Sequence, residues 1–281
     1  MKLTAVCAIA LLSLFGLPAL HADDPPPKPD IRDLAIAYVN QFIDGYANVL
    51  ALEEYTQETS GPRRRRTLKS DFLVVRYPAS PNWHVFRDVF EVDGKLVRDP
   101  GQRLVRLFQA PASSALPRAQ EVSIAGAKHN IREIGTVNNP LMVIAFLQGQ
   151  YRHHFRLTTG GKERKLGPTI RTIRFEEVVR PTILKWGGNL DLPAEGRLWV
   201  DEETGRIVKT ELKLAERDNL RSDVVWRPPT VITTTFGHDD TLGVDVPIEM
   251  RDKYPMDRDE VKGVATYDRF WRFQAGPVAL P

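Results

Sequence analysis

The chain has 281 residues, with 39 Lys and Arg against 36 Asp and Glu, six His and one Cys. A formal net charge of +3 over that length is no electrostatic footprint for nucleic acid. A lone cysteine, Cys7, excludes a disulfide framework and any multi-thiolate metal centre.

The chain opens MKLTAVCAIALLSLFGLPALHA. Lys2 is a positive start, residues 4–17 are apolar or small, and Pro18 breaks the run before Leu20-His21-Ala22. The run is too short to span a bilayer and reads as a secretory signal cleaved after Ala22. The mature chain, about 259 residues with a net charge near +2, is expected in the periplasm or secreted, without a thiol or lipid anchor. Residues 23–30, DDPPPKPD, form a Pro-rich linker. Asp30 then caps a helix expected to run to about Leu52, whose Ile31, Leu34, Ala35, Tyr38, Val39, Phe42, Ile43, Tyr46, Val49 and Leu50 share one stripe.

Three antiparallel strands are predicted next, in EEYTQE (53–58), TLKSDFLVVRY (67–77) and WHVFRDVFEVDGKLVRD (83–99). Asp93-Gly94 marks a tight hairpin in the last. Arg63, Arg64, Arg65 and Arg66 read most simply as a solvated loop entering a strand; their functional alternative is contact with anionic headgroups at a membrane surface. From about 100 to 150 the spacing turns helical, with Asn139-Pro140 as a helix start. In NPLMVIAFLQG, Leu141 to Leu147 are seven consecutive apolar residues, too many for one stripe of a surface helix. Such a helix is either buried or a lid with apolar matter on both sides. Strands resume in YRHHFRLTT, TIRTIRFEEVV, TVITTTF (230–236), VDVPIEMRDKY (244–254) and VKGVATYDRFWRF (261–273).

The most sharply patterned segment is GRLWVDEETGRIVKTELKL, 196–214. Its polar centre and Gly205 predict a hairpin with a bulge, and Val208, Thr210, Leu212 and Leu214 alternate against Lys209, Glu211 and Lys213. Trp199 shares its side with Arg197 and Asp201, where it would pack on long aliphatic stems. Strands, a helical excursion and more strands predict one α+β domain over 31–275, with a helical insert at about 100–150.

Trp199, Asp201, Thr204 and Gly205 match a W-x-D-x-x-T-G hairpin, and together with the long first helix and the helical excursion the chain resembles the lipoprotein-carrier-like superfamily of the bacterial envelope, which includes a periplasmic outer-membrane lipoprotein carrier and sensor domains. FRDVFEVDG (86–94) and ATYDRFWRF (265–273) also resemble segments of exported bacterial proteins of that type. The resemblance implies a curved antiparallel sheet, a half-barrel, packed on the N-terminal helix and the insert. It carries over no catalytic residues.

Reactive motifs are not legible. There is no H-E-x-x-H, no G-x-S-x-G and no phosphate-binding loop. His153 and His154 would face opposite ways on a strand, and GHDD (237–240) reads as a turn. The carboxylate pairs Glu53-Glu54, Glu176-Glu177 and Glu202-Glu203 read as solvated edges or turns. The expectation is therefore a non-catalytic binding protein, without cofactor or metal, for a lipid, an acyl chain, a lipidated protein or another hydrophobic ligand. Its candidate ligand contacts are Met142, Val143, Phe146, Leu147, Phe72, Phe86 and Trp199. The alternative is an envelope interaction or sensor module whose core is filled by side chains and which binds no small molecule.

Overall fold

The computed structural model describes residues 28–61, 64–77, 83–99, 103–131, 138–186, 190–214, 230–256 and 259–274. The expected signal segment, most of the linker and Arg63 lie outside the described residues.

Helix α1 (Ile31–Gly45) starts as expected, with the Asp30 carboxylate accepting the Arg32 backbone N–H at 2.8 Å. It ends earlier than the apolar spacing to Leu52 predicts. Asn48 takes a left-handed backbone, φ 55°, and its side-chain oxygen accepts the Arg76 N–H at 3.1 Å. Val49 and Leu50 then open β1 (Val49–Thr59), opposite Val74 and Leu73. Apolar residues at a helix stripe and at the start of a buried strand look alike in sequence, so periodicity ran through the turn.

β1 is followed by β2 (Arg65–Arg76), β3 (Trp83–Val92) and the short β4 (Lys95–Leu96). Asp93 and Gly94 both have positive φ, 49° and 78°, the pair that a two-residue hairpin of matching twist requires. The insert holds α2 (Arg103–Leu107), α3 (Ala112–Ala127), α4 (Met142–Phe146) and α5 (Gly149–Arg152). Then come β5 (Phe155–Lys162), β6 (Ile170–Glu177), a small β7 (Lys185–Trp186) and β8 (Leu190–Asp191) ribbon, β9 (Ala194–Asp201), β10 (Ile207–Leu214), β11 (Thr230–Asp239), β12 (Val244–Pro255) and β13 (Glu260–Arg272). Among the described residues one antiparallel sheet of eleven strands runs β4-β3-β2-β1-β13-β12-β11-β10-β9-β6-β5. It is curved but not closed into a barrel, and the fold is α+β. β13 returns to pair with β1, so the first and last strands lie side by side within the sheet.

The inner face carries the main core. Ile31, Ala35, Val39, Phe42 and Ile43 of α1 and Val143, Ile144 and Phe146 of α4 pack there against strand residues such as Phe155, Ile173, Leu198, Leu212 and Met250. A second cluster lies on the outer face, where Leu104, Val105, Phe108, Ala115 and Ala119 of α2–α3 cover Leu50, Leu73, Val75 and Phe86. The insert thus packs on both faces. That is why β2 is buried without a break from Ser70 to Val75 and shows no alternation in sequence.

Two details differ from the expectations. β5 begins only at Phe155, so His153 and His154 sit in the turn after α5 with ring centroids 4.5 Å apart instead of facing opposite ways. Glu53 and Glu177 are not solvated: both are buried, the first beside Arg87, the second accepting the backbone N–H of Ile183 (2.7 Å) and Ala194 (3.1 Å). In each pair one carboxylate falls on the inward register of its strand, and an internal donor replaces water.

The 196–214 hairpin owes its motif to docking. Asp201 Oδ1 accepts the N–H groups of Glu203 (3.0 Å) and Thr204 (2.9 Å) and the Thr204 hydroxyl (3.0 Å), while Oδ2 accepts the Thr169 hydroxyl at 2.6 Å. Gly205, φ 77°, lies so close to α1 that a Cβ there would stand 2.3 Å from the Leu34 carbonyl oxygen. The Thr-Gly pair closes the turn and lets the helix pass.

Candidate functional site

Among the described residues β3 has no strand partner on its outer side before Glu91, because β4 reaches only Glu91 and Val92. α3 covers that exposed edge instead: Ser123 Oγ accepts the Arg87 backbone N–H at 2.9 Å, and Gly126 lets the helix come close to the backbone of Arg87 and Val89. Between α3, β3 and the residues leading into α4 lies an open cleft of about 400 Å³. Leu68, Val85, Val89, Ile124 and Met142 give it apolar lining, and Arg87, Asn138 and Asn139, with Gln120, Ser123 and Asn130, give it polar lining. Ile124 is 56 % exposed, a large apolar side chain left uncovered at the rim.

Arg87 turns inward beneath this cleft. Its guanidinium grips Glu53 through Nε and through Nη2, the latter 2.6 Å from Oε1. Nη1 donates to Asn138 Oδ1 and Nη2 to the Asn138 carbonyl, each at 3.0 Å. The Phe72 ring lies 5.6 Å beneath the cation. Burial disfavours the charge, but the field and hydrogen bonds of Glu53 more than offset it and hold the Arg87 pKa above its ordinary value. The polar belt continues across the sheet. Tyr55 donates to Asp252 Oδ2 at 2.8 Å, Gln57 Nε2 donates to the Tyr55 hydroxyl at 3.3 Å, and Gln57 Oε1 accepts the Ile131 N–H at 2.8 Å. Burial pushes the Asp252 carboxyl up to about 7, against the opposing Tyr55 hydrogen bond and Arg87 charge. The Tyr55 and Tyr267 hydroxyls are likewise raised, chiefly by burial.

Of the expected contacts, Met142 and Phe86 line the cleft, and Phe72 lies against its guanidinium floor. Val143, Phe146 and Leu147 instead fill the inner core, where the Phe146 ring stacks on Phe155 at 5.0 Å. Trp199 is on the outer face between Arg197 and Lys209, with the cations 5.2 and 4.9 Å from its ring, so its neighbours are the long side chains its register predicts. Sequence reasoning misses Arg87 and Asn138, and reads Glu53 as a solvated carboxylate. The signal was present: Arg87 shares strand register with Val85 and Val89, and Glu53 with Ala51 and Tyr55, charges on the apolar side of their strands.

Other polar groups are structural. Asp245 accepts from Tyr38 (2.7 Å) and Arg206 (2.8 Å) and lies 3.2 Å from His238 Nδ1, tying α1 to the sheet. Gly237, His238 and Asp239 of GHDD, expected as a turn, instead end β11 paired with Val246, Asp245 and Val244; the turn starts at Asp240, and Asp239 Oδ1 closes it by accepting the Leu242 N–H at 2.8 Å. Among the described residues no group of three His, Cys, Asp or Glu is placed to hold a metal ion. No described helix is long and apolar enough to cross a membrane.

No family model and no curated protein matches the chain. Among solved structures it is similar to a LolA superfamily protein from Nitrosomonas europaea, with 9% identity and a TM-score of 0.36 over 86% of this chain and 94% of that one. A putative outer membrane lipoprotein-sorting protein domain from Vibrio parahaemolyticus gives 10% and 0.39, over 89% and 96%. A DUF1329 family protein from Desulfovibrio piger gives 13% and 0.38, over 88% and 93%.

Proposed function

We propose that the protein is a non-catalytic, exported binding module that holds an apolar ligand, a lipid or the acyl chain of a lipidated protein, in the cleft between α3 and β3. One observation carries the reading: an open cleft of about 400 Å³ combines apolar side chains with the hydrogen-bonding groups of Arg87, Asn138 and Asn139. That volume lies within the roughly 300–1,000 Å³ of small-molecule sites. Four of the five Arg87 N–H groups are committed to Glu53 and Asn138, which leaves one, with the Asn138 and Asn139 amides, for a carbonyl at the end of an apolar chain. An acyl chain burying about 200 Å² there gains on the order of 5 kcal/mol before the costs of association. No bond need be made or broken. Such a site calls for shape, apolar area and a few donors, and leaves no reactive motif in the sequence. Met142 supplies an adaptable wall beside the buried plug formed by Val143, Ile144, Phe146 and Leu147.

A second reading has its own support. The inner core is filled by aromatics, with Phe42 within 5.4–6.0 Å of Tyr46, Trp83 and Phe236, as in an interaction module that binds protein on its surface. Single aspartates separate the two. Met142→Asp or Ile124→Asp, at half-buried or exposed positions, should abolish uptake of a fluorescent fatty acid while the melting temperature moves only slightly. Phe146→Asp, at a position 2 % exposed, should destabilise by several kcal/mol wherever ligand binds. Uptake that survives both cleft variants, or a wild type that never takes up the probe, gives the surface-binding reading its place.

A further inference from the structure

The two edges of the sheet are finished differently. α3 lies along β3, whereas β5 ends the sheet and no described strand pairs with its outer side. The His154 carbonyl accepts the Val178 N–H at 2.8 Å, so antiparallel alternation directs the backbone of Arg156 and Thr158 toward β6 and that of Phe155, Leu157 and Thr159 outward. Arg152 Nη1 donates to the Phe155 carbonyl at 2.7 Å. Among the described residues no group hydrogen-bonds to the outward N–H and C=O groups of Leu157 and Thr159; Thr159 is exposed, while the Leu157 side chain turns into the core.

The surroundings of this edge are cationic. Arg156, with 62 % of its side chain exposed, and Lys162, with 43 %, belong to β5; Arg164 and Lys165 follow in the turn, and Arg174 stands on β6 opposite Thr158. Glu176 pairs with Arg156, Glu202 pairs with Lys162 and Glu163 stands between Lys162 and Arg164, but Arg164, Lys165 and Arg174 have no ion pair among the described residues, so positive charge is in excess. Edge cations oppose pairing with a second copy of this chain, because they would meet their own kind. They favour a strand of the opposite charge.

We infer that the outer edge of β5 is a strand-addition site for an acidic, extended segment of a partner protein. Such a segment would pair its backbone with Leu157 and Thr159 and place alternate carboxylates beside Arg156 and Arg174, the arrangement of a peptide added to an open sheet edge. The site lies at the opposite end of the sheet from the cleft, so either proposal can fail without the other.

The test uses the mature chain and a short acetylated peptide alternating Val with Asp and Glu. In the free protein the Leu157 and Thr159 amides should exchange rapidly with deuterium, and saturating peptide should slow them at least tenfold. The same peptide N-methylated at alternate residues, or with Lys for each acid, should bind at least tenfold more weakly by fluorescence anisotropy. Thr159→Pro removes an outward N–H at an exposed edge position that tolerates proline, and should weaken binding by about tenfold. Arg156→Glu combined with Arg174→Glu should do so without touching the backbone. Any of three results overturns the inference: protection of both amides in the free protein, equal binding of the N-methylated peptide, or a concentration-dependent dimer abolished by Thr159→Pro.

Discussion

Replacing Arg87 tests whether the belt beneath the cleft acts as one charged unit. Glu53 is fully buried and both its oxygens face the Arg87 guanidinium. Arg87→Met strands that carboxylate without a cation, and breaking one side of a buried pair costs about 3–5 kcal/mol. Glu53→Gln strands the guanidinium and should cost about as much. The combined variant leaves no unpaired charge; what it loses is the pair of hydrogen bonds to Asn138, each worth about 1 kcal/mol net. Two singles summing to roughly 6–10 kcal/mol against a double of about 2–3 kcal/mol give a coupling of at least about 3 kcal/mol. Urea unfolding of all four proteins, with equal denaturant slopes, measures it. Single effects that add in the double variant, within about 0.5 kcal/mol, would refute the buried pair.

Asp252→Asn should change how stability depends on pH. The folded pKa, about 7, lies above the unfolded value of 3.8, so the wild type is relatively most stable below about pH 4, loses stability as pH rises toward 7 and is level above that. The loss is at most about 4 kcal/mol. Asn keeps an acceptor for Tyr55 and does not titrate, so urea unfolding at pH 4.5 and pH 8 should show the variant gaining on wild type at the higher pH; parallel profiles would place the carboxyl in water. Two glycines form a controlled pair for hairpin docking. Gly94 and Gly205 have φ of 78° and 77°, but a Cβ would meet nothing within 4 Å at the first and the Leu34 backbone at the second. Gly94→Ala should therefore cost about 1 kcal/mol, from backbone strain alone, and Gly205→Ala clearly more, about 2–4 kcal/mol. Equal melting shifts would mean that α1 yields freely to the hairpin.

Local rules made several elements legible before the structure: the Asp30 cap and apolar stripe of α1, the Asp93-Gly94 hairpin, and the alternation of β10. Each depends on residues within a few positions of one another. The end of α1 was not legible, since it is set by the left-handed Asn48 and its bond to Arg76, on the next strand but one. Nor was the division of the insert between two faces, because Leu104 and Phe108 look no different in sequence from Leu141 and Phe146. Part of the cleft followed from the apolar run that contains Met142. Its charged floor did not, because Glu53 and Arg87 are 34 positions apart and each alone reads as a solvated strand residue. Buried charges announce themselves only by breaking the register of their neighbours, and the partner that makes burial tolerable is set by topology.

The polar belt has a consequence for how the plug is placed. Gln57 holds the backbone of Ile131, and Arg87 holds that of Asn138, so β1 and β3 fix the chain on both sides of residues 132–137. A run of Leu, Met, Val, Ile, Ala and Phe can slide against an apolar sheet at little cost, since one hydrophobic contact replaces another. Hydrogen bonds to a part-buried guanidinium and a buried carboxamide cannot slide freely, because every other register leaves them unpaired. Asn139 adds a local stop, its Oδ1 accepting the Leu141 N–H at 2.9 Å. The apolar residues thus supply the drive that buries α4, and the polar ones select its single position. That position leaves Met142 at the wall of the cleft while its neighbours Leu141 and Val143 are buried, 0 % and 3 % exposed.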